Sequence, residues 1–160
     1  MMAGMKRVFL LLILLKVAFV YAEDPRDSGH DYLGTWVITE TFQLNPFWIE
    51  DIFDSREADM MKGEIITYRK KEYVFQGKVY PIIQVNSEYY TSSSLREATT
   101  GSVIRGYGFE DLHLDGDVKE IRDVIFSTAG PDSLGRCLFV VDNNTILIDW
   151  RGWIFKAVKM

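Results

Sequence analysis

The residues able to do chemistry in this 160-residue chain are few: one cysteine, two histidines and scattered carboxylates. The densest group is Asp111-Leu112-His113-Leu114-Asp115-Gly116-Asp117. Read as a calcium loop starting at Asp111, it puts His113 and Asp115 at the third and fifth ligand positions and Gly116 at the sixth. The twelfth position needs a bidentate glutamate, and Arg122 stands there instead. The expected role is therefore a solvated acidic turn with Leu112 and Leu114 tucked in. Carboxylate pairs also occur at Glu50/Asp51, Glu110/Asp111 and Asp115/Asp117. General acid–base work needs such pairs buried in a cleft, whereas these lie in polar stretches. No hydrolase elbow, phosphate loop or HExxH is present. The expectation is a non-enzymatic protein with no metal and no cofactor.

Cys137 has no second cysteine to pair with and sits in the apolar run Cys137-Leu138-Phe139-Val140-Val141. A thiol there packs as a small hydrophobe; a nucleophilic or intermolecular role would need a neighbouring cation and base. Asn143-Asn144-Thr145 is a glycosylation sequon in a secretory eukaryote and otherwise a tight turn. Aromatics are the richest material, 14% of the chain. Tyr73, Phe75, Tyr80, Tyr90 and Phe139 serve either as core or as the wall of an apolar site whose tyrosine hydroxyls orient a ligand. Trp48 is a further candidate, at the mouth of such a site or in a docking patch.

The elements that would position these residues start after the amino terminus. Lys6 and Arg7 precede an apolar run interrupted by Lys16 and ending Val20-Tyr21-Ala22. This pattern predicts a cleaved signal peptide over 1–22 rather than a membrane span, which needs about 20 apolar residues. A polar leader, 23–31, follows. Removing Lys6, Arg7 and Lys16 takes the net charge from −5 to −8. That acidity leaves no electrostatic footprint for nucleic acid, and no stable membrane insertion is expected after cleavage. The expected location is secreted or periplasmic, with one domain over 32–159.

Alternation of β-branched and polar residues predicts a first strand over 35–42. An aromatic crossing segment with helical pieces follows over 46–53, then a short helix over 56–62 stopped by Gly63. Strands at 64–69 and 72–76 flank Lys70-Lys71 as a hairpin, and 78–86 continues the sheet with Pro81 at an edge or bulge. The Ser/Thr-rich 89–101 reads as a loop, 102–107 as a weaker strand, and 118–127 as a strand despite a partial helical stripe. The closing hairpin is the most specific element. Strands 145–150 and 153–159 flank Arg151-Gly152, which sets Trp150 opposite Trp153, Ile148 opposite Phe155 and Ile146 opposite Ala157 on one buried face. Short strands with frequent turns indicate an antiparallel β structure.

These pieces resemble the lipocalin and wider calycin group of small β-barrels. The likeness rests on Tyr32-Leu33-Gly34-Thr35-Trp36 at the head of the first strand and on the crossing segment after it. It rests also on Phe139-Val140-Val141-Asp142-Asn143-Asn144-Thr145-Ile146-Leu147-Ile148 followed by Trp153-Ile154-Phe155-Lys156. The last stretch is similar to the end of small secreted bacterial calycin-like proteins. The resemblance implies an all-β, antiparallel up-and-down barrel of about eight strands whose interior holds one small ligand. It implies that Gly34 and Trp36 close the base of the barrel, with a late basic residue against Trp36 for which Arg151 is the candidate. Trp150 and Trp153 complete this structural set. The expected function is binding of a small apolar or amphipathic ligand, the alternative being a secreted protein partner met by acidic loops on a filled barrel.

Overall fold

The computed structural model describes residues 31–44, 55–100, 106–128 and 133–160. The segments expected to be a signal peptide (1–22) and, apart from Asp31, a polar leader (23–31), together with the crossing segment with Trp48, most of 102–107 and the turn at 129–132, lie outside the described residues. Eight antiparallel strands form a closed barrel in which each strand pairs with its neighbours in sequence and the last returns to the first. They are β1 (Gly34–Gln43), β2 (Ile65–Arg69), β3 (Glu72–Phe75), β4 (Lys78–Tyr90), β5 (Ile121–Thr128), β6 (Cys137–Asp142), β7 (Thr145–Trp150) and β8 (Trp153–Lys159). Two short helices join them: α1 (Ser55–Met60) after β1, and α2 (Ser92–Thr99) between β4 and β5. This is the all-β, up-and-down barrel expected from the sequence, an architecture consistent with the calycin type.

The closing hairpin has the expected register. Trp150 pairs with Trp153, Ile148 with Phe155 and Ile146 with Ala157. Arg151 and Gly152 both adopt positive φ, 52° and 77°, the geometry that matches the twist of a two-residue hairpin. Arg69 pairs with Glu72 across the Lys70-Lys71 turn. Pro81 pairs with Glu72 on β3, while the β5 ladder on β4 begins at Ile82 and carries a bulge between Ile82 and Gln84. A proline there removes no donor from the long β4–β5 ladder.

Strand alternation divides the core in two. Inside the barrel, Trp36, Ile38, Ile66, Tyr68, Tyr73, Phe75, Val124, Phe126, Leu138, Ile146, Ile148 and Phe155 pack together. On the outer face of β5–β8, Phe139, Leu147 and Ile154 pack under Leu95 of α2 and under Phe109 and Leu112 of the following segment. Each fully buried side chain of this size stabilises by about 1.5–3 kcal/mol, so the outer layer is a second core.

α2 occupies the stretch expected to be a loop. Its Ser/Thr content caps the helix rather than breaking it. Thr91 Oγ1 accepts from the Ser94 amide at 3.3 Å, and Ser94 Oγ accepts from the Thr91 amide at 2.9 Å, a reciprocal capping box. Thr99 Oγ1 then donates to the Leu95 carbonyl at 2.8 Å and accepts from the Tyr107 amide at 2.9 Å. Leu95 is the residue of α2 that is buried, so the helix offers almost no apolar stripe for a sequence reading to find.

The base of the barrel corrects one assignment. The cation over the Trp36 ring is Lys159, at 5.1 Å from the centroid, and not Arg151, which lies 4.8 Å over Trp150 at the hairpin tip. The reason is topological. Trp36 pairs directly with Lys159 in the β1–β8 ladder, which a hairpin loop cannot reach. Gly34 allows the approach: with φ +134° and no side chain, it leaves room for the Lys159 stem, whose Cε would lie 2.9 Å from a Cβ at this position. Trp36 Nε1 donates to the Tyr32 carbonyl at 2.8 Å.

Candidate functional site

A ligand inside the barrel would have to displace its side chains. Trp36, Ile66, Tyr73, Val124, Phe126, Leu138, Ile146, Ile148, Phe155 and Ala157 each have 0% of their surface exposed. A void able to hold a water molecule would give its walls exposed area, so none of these residues borders one. Tyr73 stacks on Tyr80 at 4.8 Å, and Tyr32 meets Phe126 edge-on at 5.3 Å. The segment between β5 and β6 reaches into the same space. Tyr68 donates its hydroxyl to the Gly135 carbonyl at 3.0 Å, and the Tyr73 hydroxyl bonds Ser133 Oγ. A Cβ on Gly135 would stand 2.4 Å from Ile66 Cδ1, so only glycine fits this plug.

The aromatic candidates therefore separate. Tyr73 and Phe75 are buried within the interior cluster, with Tyr80 half-buried against it. Tyr90 and Phe139, expected in the lining, face outward in the second core. Phe139 belongs to a run apolar on both faces, where alternation cannot tell inside from outside. Trp48 lies outside the described residues.

Among the described residues Arg122 is the buried guanidinium, 3% exposed. It is held by the Asp31 carboxylate and lies 5.6 Å from the Tyr32 ring centroid. The Asp31 carboxylate compensates the buried charge. The acidic turn proposed from Asp111 is likewise structural. Asp111 accepts from the Gly108 amide at 2.9 Å and lies 3.5 Å from Arg96, which is also paired with Glu110. Leu112 is buried, and His113 stacks on Phe42 at 4.0 Å. Among the described residues no three His, Cys, Asp or Glu side chains converge on a metal position.

Two clefts lined by described residues lie outside the barrel. A shallow one of about 740 Å³ surrounds the start of α2, with Thr91, Ser92, Arg96 and Glu110 in its walls. A smaller one of about 160 Å³ lies on the outer face of β4 and β5, lined by Asn86, Ser87, Glu88, Tyr90, Asp123 and Ile125. It is acidic. Glu88 and Asp123 are direct partners in the β4–β5 ladder. The Tyr90 hydroxyl donates to Glu88 at 2.8 Å, and this bond pushes the phenol up to about 12.

Behind this cleft lies Asp149, partnered in its ladders by Cys137 and Ile154. Burial raises the Asp149 carboxyl to about 6. Burial also raises Asp123 to about 6, helped by the charges of Asp149 and Glu88. Tyr107 is raised well above the usual phenol range, mainly by burial and then by the two aspartates. Cys137 is half-buried beside them. Asp149 lies on the other face of the closing hairpin from the Ile146, Ile148 and Trp150 set. The sequence reading did not single out Glu88 or Asp123, because nothing local shows that a strand read as ending at 86 continues and sets Glu88 beside Asp123.

No family model, curated protein or solved structure matches this chain.

Proposed function

We propose that this protein is an exported, non-enzymatic binding module that meets another protein through the outside of a filled barrel. The observation supporting this reading most directly is the interior itself, where ten side chains from Trp36 to Ala157 have no exposed surface and the Tyr68 and Tyr73 hydroxyls bond Gly135 and Ser133. A small-ligand carrier of the lipocalin kind needs a hollow interior of some 300 Å³ or more. The acidic cleft on the outer face supplies polar, recessed chemistry that the interior does not. The Gly34–Trp36–Lys159 arrangement at the base supports descent from a lipocalin-like barrel whose lumen has been filled.

The test is native mass spectrometry of the protein purified from its own host. The expected result is the bare chain mass, with no adduct released on denaturation. A stoichiometric small molecule lost on unfolding would overturn the reading in favour of a ligand carrier.

A further inference from the structure

Among the described residues, the second half of β4 has a strand neighbour on one side only. β3 pairs with β4 from Lys78 to Pro81 and then turns away at Lys70-Lys71. From Gln84 to Glu88, β4 is laddered to β5 alone among the described residues. Gln84, Val85, Asn86, Ser87 and Glu88 are all exposed, and Ile83 beside them is 71% exposed. An open strand edge presents unpaired amides and carbonyls, and proteins ordinarily guard such edges with Lys, Pro or bulges. Here the bulge and Pro81 guard the near end only. Residues 84–90 contain no Pro, Lys or Arg.

The side chains next to this edge indicate what would pair with it. Glu88 and Asp123 face each other across the cleft of about 160 Å³, and no lysine or arginine lines it. A second copy of the chain would bring another Glu88 and no cation, since residues 82–90 carry no positive charge. An extended segment with a lysine or arginine supplies the missing charge, while Ile83 offers an apolar contact at the other end.

We propose that the open edge of β4 takes an extended segment of a partner protein as an added strand, with a lysine or arginine of that segment seated between Glu88 and Asp123. Strand addition gives affinity through the backbone, and the cation gives selectivity. This rests on the protein-binding reading above and names its surface and the chemistry of its partner. Burial raises the Asp123 carboxyl most, and an arriving cation would offset the smaller part that comes from the charges of Asp149 and Glu88.

The test uses the purified protein and three fluorescent synthetic peptides, each alternating threonine and valine around a central lysine, norleucine or glutamate. Binding is read by anisotropy, and the site by amide shifts in ¹⁵N spectra. The expected result is preference for the lysine peptide by about tenfold over the glutamate peptide, with shifts clustered at 84–90. Glu88→Lys should reverse the preference, and Asn86→Lys should weaken the lysine peptide without touching the cleft acids. Both positions are exposed, so both variants should keep the wild-type circular dichroism spectrum. Failure of all three peptides to bind, or lysine-peptide binding that Glu88→Lys leaves unchanged, would overturn the proposal. So would a dimer paired through β4. Shifts mapped to another surface would remove the edge as the site while leaving the protein-binding reading standing; a ligand found by native mass spectrometry would remove that reading itself.

Discussion

Lys159, the last residue of β8, holds its ammonium 5.1 Å over the ring of Trp36, near the start of β1. This contact joins the two ends of the barrel wall and covers a tryptophan with no exposed surface. Trp36→Ala should lower stability by about 3–5 kcal/mol, the range for a buried aromatic truncated to alanine. Urea unfolding followed by circular dichroism measures it, and a loss well under 1 kcal/mol would show that Trp36 is not an anchor.

Arg122 inside the barrel depends on Asp31 at the entry to the first strand. Removing the carboxylate leaves a buried guanidinium with less compensation than before. Asp31→Ala should cost about 2 kcal/mol. The double variant Asp31→Ala/Arg122→Met should cost less than the two single losses added together. Additive losses in a double-mutant cycle would show that the pair is not coupled.

Asp149 is expected to make the protein less stable as the pH rises. Its carboxyl stands at about 6 in the fold, against about 3.8 when exposed. The unfolded chain therefore gives up this proton first. Relative to the protonated state below about pH 4, stability falls between about pH 4 and 6 and then levels off. Asp149→Asn removes that loss and should stabilise by about 1–3 kcal/mol at pH 7, with the gain vanishing near pH 4. It should also lower the Asp123 carboxyl, which Asp149 helps to raise. Denaturation at several pH values and carboxyl titration by ¹³C spectroscopy check the two effects. A gain that stays constant down to pH 4 would contradict the assignment.

Gly135 has φ +103°, and any side chain on it would run into Ile66, Tyr73 and Tyr68. Gly135→Ala combines a strained backbone with an overfilled core and should cost about 2 kcal/mol or more. If the interior were hollow, the substitution would be tolerated at little more than the cost of the backbone strain. Thermal unfolding of this variant therefore probes the filled barrel independently of any ligand search.

Much of the wall was legible in the sequence because strand pairing there is local. The pairing of Trp150 with Trp153 and of Arg69 with Glu72 follows from turn length and alternation alone. What was not legible depends on residues far apart in the chain. The partner of Trp36 could not be found near the hairpin tip, because it is set by β8 returning to β1. α2 was hidden by its serines and threonines, which serve as caps. Phe139 and Tyr90 could be read as aromatic but not assigned a side, because a second core covers the outer face. Alternation shows which residues point inward. It does not show whether their volumes, together with Leu134 and Gly135 from the neighbouring segment, fill the space.

The pairing of β1 with β8 also governs when the protein can exist as a barrel. Glu40 and Lys156, bonded across that ladder, are 116 residues apart along the chain. During synthesis β1 must wait, with one edge unpaired, until β8 has been made. Such long-range closure makes folding slow and late. A barrel that cannot close before β8 is made stays threadable until then. Loss of β8 would leave two raw margins where the finished barrel has a seam.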